Sequence, residues 1–304
     1  MNSKILIPFA YIAICLFWGS SWLIIQLSLP YFPPMLNIGM RFFIAAVVIY
    51  MIMKLSGIKL QLDAKSNKIY LILAMFSYSI PFWMVYWAES HIPSSLASIL
   101  FGVYPFAVAI LSSIFISDEK LTAYRFIGIT MAFVGLIIIF SDSLKIDIEN
   151  YITGMILVVT SAVMQAGISI MIKKHGSYLN PLSMNFIPFL LAGIGLILFS
   201  FLAEDLTNAS FTTISVGYVL YLALIVTVFN FTTYYWLMQR ISVVILALTS
   251  FITPIVAVII GWLFHDERLT ANVFLGSFFV LFGIIIVNWR GIKKLYHQRI
   301  FKSM

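Results

Sequence analysis

Charge is scarce in this sequence. Only 10% of its 304 residues are charged and just 11 are acidic, whereas a water-soluble globular chain carries about 25% charge. So little polar surface excludes a soluble particle. There is a single cysteine, Cys15, which excludes an internal disulfide and a cysteine-clustered zinc site and is read as a small apolar helix residue. The four histidines are dispersed among loops and termini without metal-ligand spacing, so no metal site is expected. No phosphate-binding glycine loop, paired intramembrane carboxylates or nucleophile–base arrangement occurs, so neither ATP hydrolysis nor enzyme chemistry is expected, and no cofactor. What is abundant is apolar: 62% of residues, 16% aromatic, with mean hydropathy +1.06. The sequence describes an all-α integral membrane protein. Its net charge of +7 is therefore not read as a nucleic-acid footprint.

A span needs about 20 mostly apolar residues. Ten segments qualify: 5–25, 35–53, 69–88, 94–116, 123–140, 152–172, 182–202, 216–238, 242–264 and 271–289. The first follows Lys4 and superficially resembles a secretory signal, but it is longer than a signal core of roughly 7–15 residues and lacks a small-residue cleavage site. Two breaks, at Ile92-Pro93 and Arg240-Ile241, are short, so an independent count is useful. Cytoplasmic loops are enriched in lysine and arginine. With ten helices and the N-terminus inside, 15 of the 18 basic residues are cytoplasmic, only Lys145 and Arg268 lie opposite, and Arg41 lies within a span. Both termini are thus expected in the cytoplasm, the basic tail 291–304 anchoring at anionic lipid.

Asp118-Glu119-Lys120-Leu121-Thr122-Ala123 reappears as Asp266-Glu267-Arg268-Leu269-Thr270-Ala271, and ten of the 23 positions from there onward are identical, including Gly128/Gly276 and Gly135/Gly283. With one residue of slippage Pro105 falls on Pro254 and Tyr86-Trp87 on Tyr235-Trp236; further back, Pro34 falls on Pro181 and Ala45 on Ala192. The chain therefore divides into two copies of one unit, 1–145 and 150–290, followed by the tail 291–304. Five helices per copy is an odd number, so the copies have opposite orientations in the bilayer. Inverted repeats with a midplane site between them are a transporter architecture.

The sequence resembles the drug/metabolite transporter superfamily, in its EamA-type ten-helix branch. The resembling residues are Trp18-Gly19-Ser20-Ser21, Pro34 followed by Arg41-Phe42, Pro105, and Glu119 and Glu267 with their neighbours. The resemblance covers essentially the whole chain. It implies a bacterial inner-membrane carrier, often an exporter, of amino acids or other small metabolites, with a cavity among helices 1, 3, 4, 6, 8 and 9. The second unit departs from the first: Gln165 aligns with Trp18, and Pro188 takes the place of Arg41.

Arg41 is the most informative residue. A charge within a span costs at least about 2.5–3.5 kcal/mol and is a functional candidate by default. It is either a structural anchor or fixed ion pair, with Glu89 as the expected counter-charge, or a functional group that pairs with a substrate carboxylate or controls the outer gate. No second buried charge is expected, so a proton relay has little support. Trp18, Tyr78, Trp83 and Tyr104 are candidate substrate contacts because ligand cavities favour aromatic walls with few polar groups. Gln165 and Asn230 join them as polar groups hard to hide in lipid. Tyr86, Trp87, Tyr235 and Trp236 are gate candidates or members of the interfacial aromatic belts. Pro105 and Pro254, mid-span in equivalent helices, are candidate hinges because proline removes a helix hydrogen bond. The glycines at 128, 135, 276 and 283 suit close helix packing or a dimer seam, so monomer and homodimer both stay open. Glu119 and Glu267 are expected to favour the starts of the helices they precede. The expected partners are a small-molecule substrate and the lipid bilayer. The expected function is secondary transport, as an exporter, of neutral amino acids or similar metabolites by alternating access; efflux of lipophilic toxic compounds is the alternative.

Overall fold

Proline and capping side chains set the helix starts in the computed structural model, which describes residues 3–92, 94–141, 148–265, 270–287 and 289. Lys145, the second acidic motif from Asp266 to Leu269 and the basic tail lie outside them. The described residues form helices and no strands. Helix α1 is Ser3–Ser28, and α2 is Pro34–Leu55, opened by prolines at its cap and first turn. Helix α3 runs from Ala64 to Glu89, with Asp63 accepting from the Lys65 and Ser66 N–H groups at its start. Helix α4 comprises Ser94–Phe101 and Tyr104–Phe115. Then follow α5 (Ala123–Phe140), α6 (Ile148–His175) and α7 (Pro181–Ala203). Helix α8 is Thr213–Met238, α9 comprises Val243–Ala247 and Thr249–His265, and α10 is Ala271–Val287.

Eight of these helices are long and apolar enough to cross a membrane; the apolar stretches Val243–Val256 and Ala271–Val287 are shorter. Large apolar side chains stand exposed along them, such as Ile114 and Phe201, each 66% exposed. Such faces belong in lipid, where helices also satisfy every backbone group internally. This is a multi-pass membrane protein.

Two features escape hydropathy. Helices α3 and α8 each contain a π-helical stretch, Ala74–Ser79 and Leu222–Phe229. The two begin 148 residues apart, the offset that separates Asp118 from Asp266. A π turn carries one extra residue, re-aims the following side chains and is frequent at functional sites. The helix break in α4 falls at Gly102-Val103, so Pro105 opens the second half of a broken helix instead of kinking a continuous one. Pro254 does sit inside a helix, past a break at Leu248.

The packing is symmetric in pattern. Helix α5 packs on α10 and α2 on α7; α1 packs on α9 as α6 does on α4, and α2 on α8 as α7 does on α3. Phe42 and Phe189, separated by the same offset as Ala45 and Ala192, stack at 5.1 Å with an interplanar angle of 6°. Helices α5 and α10 run antiparallel with backbone against backbone. A methyl group on Gly135 would stand 2.5 Å from the Gly276 carbonyl oxygen, and one on Gly128 2.6 Å from that of Gly283. The four glycines are thus consumed by packing within the chain.

Gly135→Ala forces these backbones apart, and overpacking of this kind costs about 1–3 kcal/mol. The apparent Tm of the detergent-solubilised protein should fall clearly. Gly195→Ala, where nothing stands within 4 Å, should leave it unchanged or slightly higher, since alanine is the better helix former.

Candidate functional site

Many of the polar residues that the spans bury converge on a cavity among the helices. Its wall draws on α1, α2, α3, α4, α6, α8 and α9. Helix α1 contributes Trp18, Ser21, Trp22 and Ile25, one face at i, i+3, i+4 and i+7 spacing. Helix α6 contributes Gln165, Ser169 and Ile172 by the same rule. Aromatic rings dominate the rest: Phe82, Tyr86, Phe101, Tyr104, Phe231, Tyr234 and Tyr235.

Arg41 is 2% exposed and lines this cavity. Its Nε donates to Thr227 Oγ1 at 2.6 Å, and its Nη1 donates to the Tyr86 hydroxyl at 3.0 Å. The Phe82 and Phe42 rings lie 5.2 and 5.7 Å from the guanidinium carbon, within cation–π range. Thr227 belongs to the π-helical stretch of α8, and its hydroxyl donates in turn to the Leu222 carbonyl at 2.8 Å. Nη2 has no hydrogen-bond partner among the described residues. Glu89 was the expected counter-charge, but the two make no ion pair: Glu89 lies one turn past Tyr86, 5% exposed, with neither carboxylate oxygen hydrogen-bonded. A second buried ionisable group therefore exists, contrary to the expectation from sequence.

The other polar atoms form two small networks. The Tyr104 hydroxyl is 2.8 Å from both Ser169 Oγ and the Tyr234 hydroxyl. Ser77, from the π-helical stretch of α3, donates to Gln165 Oε1 at 3.3 Å. Trp18 packs against Phe231 and Tyr234 at 5.5 and 5.3 Å between centroids.

Of the residues singled out from sequence, the cavity wall brings together Trp18, Arg41, Tyr86, Tyr104, Gln165, Tyr235 and Pro254. The others lie elsewhere. Tyr78 is fully buried behind the wall, its hydroxyl 2.6 Å from that of Tyr235 and donating to Asn185 Oδ1 at 3.0 Å. Asn230 is also fully buried, donating to the Ile14 carbonyl at 3.4 Å. Pro105 is buried off the wall, and Trp83 is half-buried against the core. Each aromatic pair splits, because neighbouring helix residues point about 100° apart. Tyr86 and Tyr235 turn inward, while Trp87 stacks on His91 at 3.8 Å and Trp236 carries the Arg240 guanidinium at 4.2 Å. Ser77, Ser169 and Thr227 were missed. The i, i+4 spacing of Ser169 from Gln165 was an available signal; the π-helical placement of Ser77 and Thr227 had none.

Two glutamates fasten helix starts at a distance. Glu119 does not serve the helix it precedes. Its carboxylate accepts from Ser242 Oγ, from the Val243 N–H at 3.0 Å and from the Val244 N–H at 3.5 Å, and so caps α9. Beside it, Lys173 donates to the Met238 and Ile241 carbonyls. Glu204 accepts from the Met35 and Leu36 N–H groups at the start of α2. Its burial holds its pKa above the ordinary value, and those two N–H groups pull it back. Glu267 lies outside the described residues.

The profile of the EamA-like transporter family matches the chain twice, over residues 5–141 and 152–289. The uncharacterized transporter YoaV of Bacillus subtilis is 26% identical over 276 residues, 90% of this chain and 94% of its own. Protein PagO of Salmonella typhimurium is 28% identical over 84% of both chains. The uncharacterized inner membrane transporter YedA of Escherichia coli is 25% identical over 95% of this chain and 93% of its own. A solved crystal structure superposes with a TM-score of 0.80 at 15% identity, covering 96% of this chain and 99% of the other, which establishes the shared fold.

Removing the Glu119 carboxylate leaves buried N–H groups unpaired, at about 1–3 kcal/mol. Glu119→Ala should therefore lower the apparent Tm, Glu119→Gln should lower it less, and Asp118→Ala, at an exposed neighbour, should not. Thermal unfolding in detergent ranks the three.

Proposed function

Because the chain belongs to the EamA-like transporter family, we propose that it is a secondary carrier of the bacterial inner membrane that exports small metabolites such as neutral amino acids by alternating access around this cavity. All ten helices cross the bilayer, as two five-helix repeats of opposite orientation with both termini in the cytoplasm. Three observations support that topology: the partition of lysine and arginine, the antiparallel contact of α5 with α10, and the exchange of contacts when α1–α5 are swapped for α6–α10.

The observation that carries the substrate class is the setting of Arg41. A guanidinium fixed through Nε and Nη1 faces an aromatic cavity with Nη2 left over. Such an edge suits a carboxylate, and charge-assisted bonds of this kind are the strong ones. The rings of Trp18, Phe101 and Tyr234 suit an apolar side chain, and the hydroxyls and amide of Ser77, Gln165, Ser169 and Thr249 suit an ammonium group. A zwitterion with an apolar side chain meets all three. The predominance of aromatic wall favours a second reading, efflux of lipophilic compounds, in which Arg41 would be dispensable.

Proteoliposomes should show counterflow of at least one member of a labelled neutral amino acid panel, above empty liposomes. Arg41→Gln should reduce it on the order of tenfold or more, matching the loss of a hydrogen bond to a charged group. Trp18→Ala should also reduce it, and Trp83→Ala, off the wall, should not. Normal counterflow in Arg41→Gln with loss in Trp18→Ala would replace the zwitterion with a lipophilic substrate.

A further inference from the structure

Glu89 takes no part in the site described above, yet it is a carboxyl group 5% exposed with both oxygens unpartnered. It ends α3 one turn beyond Tyr86, whose hydroxyl accepts from Arg41, and Arg41 is close enough to act on it electrostatically without pairing. At its end of the packed helices the other described ionisable groups are Tyr86 itself, Tyr104 on α4 and Tyr151 on α6, whereas Lys54 on α2, Lys65 and Lys68 on α3, and Lys173, Lys174 and His175 on α6 lie at the opposite ends of their helices. Past the helix end, exposed His91 is engaged with Ser90 Oγ and the Trp87 carbonyl. Among the described residues, Arg41 is thus the one cation in the Glu89 half of α2, α3, α4 and α6, and so the one placed to neutralise it.

An ionised carboxylate held in a protein interior without a partner costs several kcal/mol; the protonated form costs far less. Which form is held therefore depends on whether the charge of Arg41 is available to it. We propose that Glu89 is a proton-binding site linked to the cavity through Arg41. The ionised Glu89 side chain and a substrate carboxylate are alternative partners of one guanidinium. When the substrate carboxylate takes Arg41, Glu89 takes up one proton from solution, and when the substrate leaves, Glu89 releases it. No covalent bond other than the O–H bond of Glu89 forms or breaks. The linkage to substrate rests on the carboxylate assignment at Arg41; the proton site and its dependence on Arg41 do not.

The test uses the full-length protein in nanodiscs, with two readouts. Infrared difference spectra between acid and alkaline buffer, with no substrate, should show the carbonyl stretch of a buried protonated carboxyl in the wild type and not in Glu89→Gln. In Arg41→Gln, which removes the competing charge, that band should persist to higher pH. Second, the affinity for labelled L-leucine, as probe, should weaken with rising pH in the wild type, by up to about tenfold per unit for one linked proton. Glu89→Gln should bind with no such slope. The proposal is overturned if no band is lost in Glu89→Gln, if the band titrates identically in Arg41→Gln, or if Glu89→Gln keeps the wild-type pH slope. If L-leucine binds neither protein, the substrate assignment fails, and the infrared spectra alone decide the proton site.

Discussion

A positive charge inside a membrane protein has to be neutralised, bonded or surrounded by polarisable groups, and the centre of this bundle is arranged around doing so for Arg41. The guanidinium rests on α2, donates one bond to α8 and one to α3, and lies near two phenylalanine rings. The bond to α8 exists because the helix widens at Leu222–Phe229, placing Thr227 so that its hydroxyl serves both its own backbone and Arg41. The equivalent widening in α3 presents Ser77 to Gln165. A deviation from regular helix, repeated once in each half, thus supplies polar atoms where a regular helix would present another face.

Much of this was legible in the sequence. Composition alone gives the membrane class, and the repeat of Asp118–Ala123 at Asp266–Ala271 announces two copies before any helix is drawn. Trp18, Arg41, Tyr104 and Gln165 could be picked out because each is costly to place against lipid without a reason. The same logic failed for Tyr78 and Asn230, which are equally costly but are accommodated in the core by Asn185, Tyr235 and Ile14. Cost identifies a residue that must be inside, not which inside it occupies. Glu119 was misassigned for a related reason: a cap is a local pattern when it serves its own helix, and nothing local marks a carboxylate that reaches Val243 across the bundle. Glu89 was placed near Arg41, but only the structure shows the two held apart.

The glycines at 128, 135, 276 and 283 have a further consequence under the proposed alternating access. Gly128 faces Gly283 and Gly135 faces Gly276; since Gly276 is the counterpart of Gly128 and Gly283 that of Gly135, the two contacts exchange with one another and the seam maps onto itself when the halves exchange places. A carrier whose outward-open and inward-open forms are related by that exchange keeps this seam, with the Phe42–Phe189 stack, in both. Weakening such a contact lowers the stability of both forms together and leaves their ratio unchanged. Glu119 stands outside this seam, tying the segment before α5 to the start of α9. Under the proposed alternating access, the seam is thus an axle indifferent to direction.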